Sequence, residues 1–289
     1  MSLLVARTRA ELVGLRRGLA APVVLVPTMG ALHDGHRALL RRARELAVAD
    51  GSVVASVFVN PLQFGPAEDF DRYPRPLDAD LKAAEAEGVT AVFAPDQQQV
   101  YPHPPRVTVD PGPAGRVLEG EFRPGFFGGV LTVVLKLFQL VRPEIAVFGC
   151  KDAQQLALIR QMVADLDLGV RIEAVPTVRD PDGLATSSRN DYLSAEDRAA
   201  ALAIPAALAA GRDAAAGGPD AILAAAREVL DRGAAGGRPL VVDYLSLVHP
   251  RTFAAVSRQH TGPALLAIAA RAGSTRLIDN VPLTLRGEG

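Results

Sequence analysis

The first 180 residues alternate between short runs of β-branched residues and longer stretches with helical periodicity. Predicted strands cover residues 23–26, 52–59, 89–93 and 145–148, and predicted helices cover residues 37–48, 77–87, 130–140 and 153–165. Buried parallel strands read as continuous apolar runs, and a helix is the usual connection between two of them. The pattern predicts an α/β fold with a doubly wound, Rossmann-like parallel sheet. Ligands bind such sheets at the carboxyl ends of the strands.

The composition changes after Tyr192, where Ala-rich helical stretches take over. Ser194 precedes a predicted helix over residues 195–210, and the break at Gly217-Gly218-Pro219-Asp220 precedes another helix that ends near residue 231. Strands are predicted over residues 240–248, 265–270 and 275–285. We therefore expect a Rossmann-like domain over residues 1–177 and a smaller, lid-like α+β domain over residues 178–289.

Composition limits the possible partners and cellular location. The chain of 289 residues carries 31 basic and 32 acidic side chains, so no basic surface for nucleic acid is expected. One cysteine, Cys150, is typical of a reducing compartment. The longest apolar run, residues 129–141, contains Lys136 and Gln139 and is too short to span a bilayer. We expect a cytoplasmic protein without a membrane or nucleic-acid partner.

The first predicted strand runs into the segment Pro27-Thr28-Met29-Gly30-Ala31-Leu32-His33-Asp34-Gly35-His36. A strand that turns through glycine into a helix presents main-chain N–H groups and the positive end of a helix dipole at one point. His33 and His36 add donors that are neutral or cationic near pH 7. Phosphate groups fit such a place. Surface histidines in an ordinary connection are the alternative interpretation.

A second polar cluster lies far along the chain, at Thr186-Ser187-Ser188-Arg189-Asn190. Its hydroxyls and guanidinium suit phosphate oxygens, although a serine-rich linker has the same composition. No G-x-G-x-x-G follows the first strand and no G-x-x-x-x-G-K-[ST] occurs, which disfavours a dinucleotide oxidoreductase and a P-loop enzyme.

Four blocks in the same order resemble one known family over essentially the whole chain. The first is the segment from Pro27 to His36, and the others are residues 58–64, 148–156 and 182–193. Together they resemble the pantoate–β-alanine ligase (pantothenate synthetase) family, which belongs to the HIGH-motif adenylyltransferase superfamily. A single His-x-Gly-His would be far less specific.

The resemblance implies an ATP-dependent, AMP-forming ligase. Such an enzyme condenses pantoate with β-alanine through a pantoyl-adenylate and releases AMP and pyrophosphate. A related adenylyltransferase, or an acid–amine ligase with a different acid or amine, is the alternative. A nucleotide-binding protein without turnover is a third possibility. The resemblance also implies a homodimer, and Mg²⁺ held mainly by the triphosphate rather than by protein side chains.

The resemblance further assigns individual residues. The catalytic residues would be His33, His36 and Lys151. Pantoate would contact Met29, Asn60, Gln63 and Gln155. ATP would contact a larger set drawn from all four blocks and from the chain between them: Pro27, Thr28, Met29, Gly30, His33, Gly35, His36, Gly149, Lys151, Asp152, Val178, Thr186, Ser187, Ser188 and Arg189. The Asp180–Gly183 turn suggests that the last three close over bound ATP.

Some positions keep two interpretations or depart from the family pattern. Asp152 suits either a ribose contact or a helix N-cap, and Asn60 suits either the acid pocket or closure of a turn. Cys150 stands where glutamate is usual, and we interpret it as a small buried filler rather than a nucleophile. Thr186 and Phe126 replace a methionine and a histidine. The thinned stretch Asp78-Ala79-Asp80 argues against a protein-held metal there.

Overall fold

The computed structural model describes residues 2–65, 70–235 and 240–286, with side chains left out for residues 233–235. The chain divides into two compact units. The first comprises Met1–Cys150 and Leu158–Pro176, and the second comprises Lys151–Ala157 and Thr177–Gly289.

The first unit contains a six-stranded sheet in which every pairing is parallel. The strands are β1 Leu4–Ala6, β2 Val23–Thr28, β3 Ser52–Val57, β4 Ala91–Phe93, β5 Ile145–Gly149 and β6 Arg171–Val175. Their spatial order is β1-β4-β3-β2-β5-β6, so the order of connection reverses at β2. The predicted doubly wound sheet is confirmed. The crevice at such a reversal is where ligands bind.

The helices between these strands are α1 Arg9–Arg16, α2 Asp34–Leu46, α3 Leu77–Ala86, α4 Gln97–Val100, α5 Glu119–Phe122, α6 Phe126–Val141 and α7 Ala153–Asp165. The four that were predicted, α2, α3, α6 and α7, begin and end within four residues of the predicted positions. The apolar side chains of β2, β3 and α2 form one buried cluster that includes Val24, Leu40 and Val53. Burial of this cluster holds α2 against the sheet, and therefore places the N-terminus of α2 at the end of β2.

Some predicted boundaries are wrong, and five elements were not predicted: β1, β6, α1, α4 and α5. The strand predicted to reach residue 59 ends at Val57, and the helix predicted from residue 37 begins at Asp34 because His33 caps it. β1 has only three residues, too few to show a period. β6 mixes charged and apolar residues, so it lacks the continuous apolar run on which strands β2 to β5 were predicted. α1 is short, with eight residues.

The second unit is α+β, as predicted. Its helices are α8 Ala195–Ala201, α9 Ala203–Asp213 and α10 Gly218–Ala235. Its strands, β7 Val241–Val248, β8 Gly262–Ala272 and β9 Thr275–Leu285, form an antiparallel sheet in the order β7-β8-β9. Ile204, Leu208, Ile222 and Leu266 belong to the buried cluster that holds these elements together.

The single helix predicted over residues 195–210 is wrong, because two helices lie there. Pro205 has no N–H to donate and its ring clashes with the carbonyl four residues before it, which belongs to Ala201. The first helix accordingly ends at Ala201.

Among the described residues, no single helix is both long and apolar enough to cross a membrane. One pair of segments bent by 55°, Ala195–Asp213 with Ala215–Arg232, passes the same test by length and composition alone.

Candidate active site

The loop that follows β2 has an unusual backbone fixed by hydrogen bonds. Thr28 Oγ1 donates to the carbonyl of Ser56 on β3 (2.7 Å) and accepts from the N–H of Gly30 (3.2 Å). Gly30 and Ala31 both have positive φ, at 87° and 51°. Glycine adopts this conformation at no cost, but alanine does so only where surrounding contacts enforce it.

Asp80 supplies those contacts. Its carboxylate accepts from the N–H of Ala31 (3.0 Å) and from the N–H of Leu32 (2.7 Å). A Cβ at position 30 would lie 2.8 Å from Asp80 Oδ2, so glycine is needed there for space as well as for conformation. Burial raises the pKa of Asp80, while the two N–H groups act in the opposite direction. The residue on α3 therefore fixes the loop that leads into α2.

His33 and His36 cap the N-terminus of α2 reciprocally. His33 is the N-cap, and its Nδ1 accepts from the N–H of Gly35 (3.1 Å). The N–H of His33 in turn donates to Nδ1 of His36 (3.4 Å). A main-chain N–H can only donate, so each Nδ1 must be an unprotonated acceptor. Each neutral imidazole therefore carries its proton on Nε2.

The two imidazole rings are also close to each other. Their centroids are 4.0 Å apart and their planes are inclined by 37°. Because each ring carries its proton on Nε2, the pair offers two N–H donors close together. The oxygens of a phosphate chain suit such a pair of donors at a helix N-terminus.

A buried polar network follows β3. Asn60 Nδ2 donates to Gln63 Oε1 and to the carbonyl of Gly129, both at 3.1 Å. Asn60 Oδ1 accepts from the hydroxyl of Tyr101 (3.0 Å) and from the N–H of Leu62 (3.3 Å). The predicted residues Asn60 and Gln63 are thus in direct contact, while Tyr101 was not predicted.

Gln63 also contacts the loop after β2. Its Nε2 donates to the thioether sulfur of Met29 (2.9 Å). Met29 and Gln63, both predicted to contact the acid, therefore lie together at the ends of neighbouring strands. Both side chains are half-buried, so part of each remains accessible to a ligand.

Phe126, which stands where the family usually has histidine, lies under a guanidinium group. The Cζ atom of Arg123 is 3.7 Å from the centroid of the Phe126 ring, a cation–π arrangement. Arg123 Nη2 donates to the main-chain carbonyl of Gln63 (3.2 Å). The departure at position 126 is therefore connected through Arg123 to the backbone of a predicted substrate residue.

The fifth strand, β5, ends at Gly149 and leads into the short 3₁₀ helix Cys150–Asp152. Cys150 is half-buried. Desolvation raises the pKa of its thiol, and the nearby Arg160 only partly opposes this. A raised pKa keeps the thiol protonated near neutral pH, and protonated thiols are poor nucleophiles. This favours the interpretation of Cys150 as filler.

Lys151, Asp152 and Gln155 belong to the second unit. The carbonyl of Lys151 accepts from Asn280 Nδ2 on β9 at 2.8 Å, which fixes the main chain beside the predicted phosphate contact. Asp152 precedes the first residue of α7, and Gln155 lies in its first turn. All three side chains are half-buried.

The segment from residue 179 to residue 190 is organised around Asp180. Its carboxylate accepts from Thr186 Oγ1 (2.7 Å), Asn190 Nδ2 (3.1 Å) and Arg198 Nη2 (2.8 Å). Burial opposes ionisation of Asp180, but these three donors outweigh it and lower its pKa. Thr186, which replaces the family's usual methionine, thus uses its hydroxyl to hold this segment together.

Ser187, Ser188 and Arg189 come at the start of a short 3₁₀ helix, Ser188–Tyr192. Ser187 Oγ accepts from the N–H of Arg189 (3.3 Å). The N–H of Thr186 donates to the carbonyl of Val178 (2.9 Å), which joins the predicted residue Val178 to this group. The structure therefore brings the predicted ATP residues 178 and 186–189 into one short segment.

Sequence reasoning missed Asp80, Tyr101 and Arg123. Each of them forms hydrogen bonds with a predicted residue, or with the loop after β2, that lies far away in the sequence. No local sequence pattern could therefore indicate their roles. Among the residues that the structure describes, no group of three or more His, Cys, Asp or Glu is placed to hold a metal ion.

Comparison with known proteins shows which family the chain belongs to. The family model described as pantoate-beta-alanine ligase matches residues 4–282. Pantothenate synthetase from Thermobifida fusca is 62% identical over 287 residues, covering 97% of this chain and 96% of the relative. The relative of the same name from Acidothermus cellulolyticus is 56% identical over 284 residues, covering 96% and 91%.

Two solved structures share the fold over nearly the whole chain. Pantothenate synthetase from Thermus thermophilus aligns with a TM-score of 0.87 and 46% identity, covering 96% of this chain and 98% of that chain. Pantoate-beta-alanine ligase from Francisella tularensis, complexed with beta-gamma ATP and beta-alanine, aligns with a TM-score of 0.78 and 30% identity, covering 96% and 97%. With its six-stranded sheet, its histidine-capped helix and these relatives, the chain belongs to the pantoate–β-alanine ligase family.

Proposed function

We propose that this chain is an ATP-dependent ligase that condenses pantoate with β-alanine to pantothenate and releases AMP and pyrophosphate. The observation that carries the proposal is the reciprocal His33–His36 cap at the point where the sheet reverses its connection order. This arrangement suits a bound phosphate chain. Family membership supplies the acid and the amine.

Activation of the acid is the first step. A carboxylate oxygen of pantoate attacks the α-phosphorus of ATP, the bond from that phosphorus to the β-phosphate oxygen breaks, and pantoyl-adenylate and pyrophosphate form. Negative charge accumulates on the α-phosphoryl oxygens and on the leaving pyrophosphate. Fixed hydrogen-bond donors stabilise such charge without a covalent enzyme intermediate.

The histidines and Lys151 are the proposed donors to this developing charge. Because both Nδ1 atoms accept from main-chain N–H groups, His33 and His36 offer Nε2–H as their donors. Lys151 contributes an ammonium group. Ser187, Ser188 and Arg189 are proposed to bind the β- and γ-phosphates, where a guanidinium can contact two oxygens at once. Asp152 is proposed to accept from the ribose.

The remaining predicted ATP residues contribute main chain and shape. Pro27, Thr28 and Gly30 form the end of β2 and its loop, Gly35 opens α2, and Gly149 ends β5. Val178 and Thr186 are hydrogen-bonded to each other through the main chain. We propose that these residues line the nucleotide rather than take part in proton or charge transfer.

Pantoate is proposed to bind at Gln63 and Gln155, with Met29 beside Gln63. An amide offers a donor and an acceptor at once, which suits an acid that also carries two hydroxyl groups. The amine of β-alanine then attacks the acyl carbon, the amide bond forms, and AMP leaves. The nitrogen loses one proton, which passes to solvent or to the departing phosphate.

Mg²⁺ is proposed to accompany ATP. Hard cations of this size prefer phosphate and water oxygens in nucleotide sites. With no three-residue metal cluster among the described residues, the triphosphate itself would supply most of the ligands. We also propose a homodimer in the cytoplasm, acting on small molecules only.

A panel of acids and amines tests the proposal. We expect AMP release that requires both pantoate and β-alanine, with pantothenate as the amide product. Nucleotide transfer without any amine requirement would instead support a nucleotidyltransferase. Amide formation only with another acid or amine would mean that this member of the family uses a different substrate. The Arg123–Phe126 pair beside Gln63 would then be the first place to look for the cause.

A further inference from the structure

Asn60 has no hydrogen-bonding capacity left for a substrate. Its side chain has a relative exposure of only 1%, and an amide offers two N–H donors and two carbonyl lone pairs. Both donors are used by Gln63 Oε1 and the Gly129 carbonyl. Both lone pairs are used by the Leu62 N–H and the Tyr101 hydroxyl. Its role must therefore be exerted through these neighbours.

Two main-chain groups determine which way the Asn60 amide faces. The N–H of Leu62 can only donate, so the atom that it meets must be Oδ1. The carbonyl of Gly129 can only accept, so the atom beside it must be Nδ2. Gly129 permits this approach because a Cβ there would lie 2.0 Å from the carbonyl oxygen of Leu62.

The orientation of Asn60 then fixes the two side chains that contact it. Since Nδ2 of Asn60 points at Gln63, the atom of Gln63 that it meets must be the acceptor Oε1. Since Oδ1 of Asn60 points at Tyr101, the phenol must donate. Burial raises the pKa of Tyr101, which keeps its proton in place.

The remaining end of the Gln63 amide is its NH₂ group. In the structure this group donates to a weak acceptor, the thioether of Met29 at 2.9 Å. A carboxylate or hydroxyl oxygen accepts much more strongly than a thioether. An incoming substrate oxygen can therefore take over this donor at little cost.

We propose that Tyr101 and Asn60 are positioning residues that hold Gln63 with its NH₂ group toward the acid, so that Gln63 recognises an acceptor oxygen of pantoate as a donor. This inference rests on the proposed function and adds the direction of the hydrogen bond and the residues that set it. Tyr101 gives Asn60 Oδ1 its shorter hydrogen bond (3.0 Å against 3.3 Å from Leu62), so removal of the phenol loosens Asn60 and with it Gln63.

A double-mutant cycle tests the positioning role. Tyr101→Phe removes one hydroxyl, and we expect the KM for pantoate to rise roughly three- to tenfold, the range for loss of one buried hydrogen bond, while the KM for ATP stays within about twofold. In a Gln63→Ala background the same change should have almost no further effect on the pantoate KM, because Tyr101 acts through Gln63. Tyr244→Phe, in the second unit, is the control for loss of a phenol hydroxyl elsewhere.

Independent, multiplying effects of Tyr101→Phe and Gln63→Ala on the pantoate KM would overturn the positioning role. An equal rise of the KM values for pantoate and for ATP would overturn it as well.

Neutron diffraction from crystals that contain pantoate tests the direction of the hydrogen bond between Gln63 and the substrate. The amide deuterons of Gln63 should face the substrate, and deuterons facing Asn60 would overturn the proposal. A wild-type chain that neither binds nor activates pantoate would instead reject the proposed function. A second neutron map, from crystals without pantoate, should also show the amide deuterons of Gln63 facing away from Asn60.

Discussion

The main-chain N–H of His33 donates to Nδ1 of His36 across one turn of α2, while His33 Nδ1 accepts from Gly35. This pair of hydrogen bonds makes each histidine both a cap of the helix and a donor through Nε2. It also separates the two functions by atom. Nδ1 serves the fold, whereas Nε2 serves the proposed phosphate site.

That separation predicts different results for two amide substitutions of His36. Glutamine places an amide N–H near the position of Nε2, whereas asparagine reaches only as far as Nδ1. We expect His36→Asn to slow pantoyl-adenylate formation about 10²- to 10³-fold, the usual size for loss of a donor to developing charge, and His36→Gln to slow it much less. Single-turnover quench experiments with saturating ATP and pantoate measure this step.

The melting temperatures of His36→Asn and His36→Gln provide the control. Both variants keep a side-chain amide near the helix terminus, so we expect their melting temperatures to be similar. Equal loss of rate in the two variants, at matched melting temperature, would contradict the role of Nε2–H.

Asp80 should matter for nucleotide binding although it is buried beneath the loop. In Asp80→Asn, the amide can accept from only one of the two N–H groups of Ala31 and Leu32, and its own NH₂ meets the other. We expect ATP affinity to fall roughly tenfold, since one buried donor loses its partner at a cost of about 1–3 kcal/mol. Isothermal titration with ATP measures this.

Asp78→Asn is the matched control for Asp80. Asp78 lies two residues away on the same helix and is exposed, so its substitution should leave ATP affinity nearly unchanged. Similar effects of the two substitutions would point to net charge rather than to the hydrogen bonds of Asp80.

The sequence was sufficient for the fold class because its signals are local and repeated. Runs such as residues 23–26 and 145–148 appear as buried parallel strands, and the apolar stretch around residues 130–140 appears as α6. The capping pattern Thr8-x-x-Glu11 could also have predicted α1, since both of its hydrogen bonds are present.

The support around the candidate site could not be predicted in this way. Asp80 reaches a loop about fifty residues earlier, and Tyr101 reaches Asn60 across 41 residues. Such contacts depend on which strands become neighbours, information that no short pattern contains. The positive φ of Ala31 is similarly invisible, because alanine does not mark left-handed backbone.

Cys150 should be dispensable for catalysis. Its raised thiol pKa predicts slow alkylation by iodoacetamide at about pH 7 and acceleration only at more alkaline pH than for an ordinary thiol. Cys150→Ser should retain pantoyl-adenylate formation within a few-fold when compared at equal folded fraction, since a buried hydroxyl can lower stability. Complete loss of that step in folded Cys150→Ser would contradict the interpretation as filler. The chain has one cysteine, so labelling reports on this site alone.

The Asp180 cluster predicts a pH dependence of stability. The pKa of Asp180 is lowered from its ordinary value of 3.8, so its contribution is present above that value and is lost as the pH falls through the folded-state pKa. The melting temperature of wild type should exceed that of Asp180→Asn at pH 7, and the difference should shrink below about pH 4.

Asp220→Asn is the comparison for Asp180. Asp220 pairs with Arg258 where both side chains are exposed, and exposed ion pairs contribute little. A melting-temperature difference between wild type and Asp180→Asn that stays constant from pH 7 to pH 3 would exclude ionisation of Asp180 as the cause.

Transfer of oxygen from pantoate to AMP tests whether the acid is activated as an adenylate. With both carboxylate oxygens of pantoate labelled with ¹⁸O, attack on the α-phosphorus leaves one labelled oxygen in AMP and one in pantothenate after β-alanine displaces AMP. Mass spectrometry of the products should therefore show one ¹⁸O in each AMP formed. AMP without label, or label in the pyrophosphate, would contradict a pantoyl-adenylate intermediate.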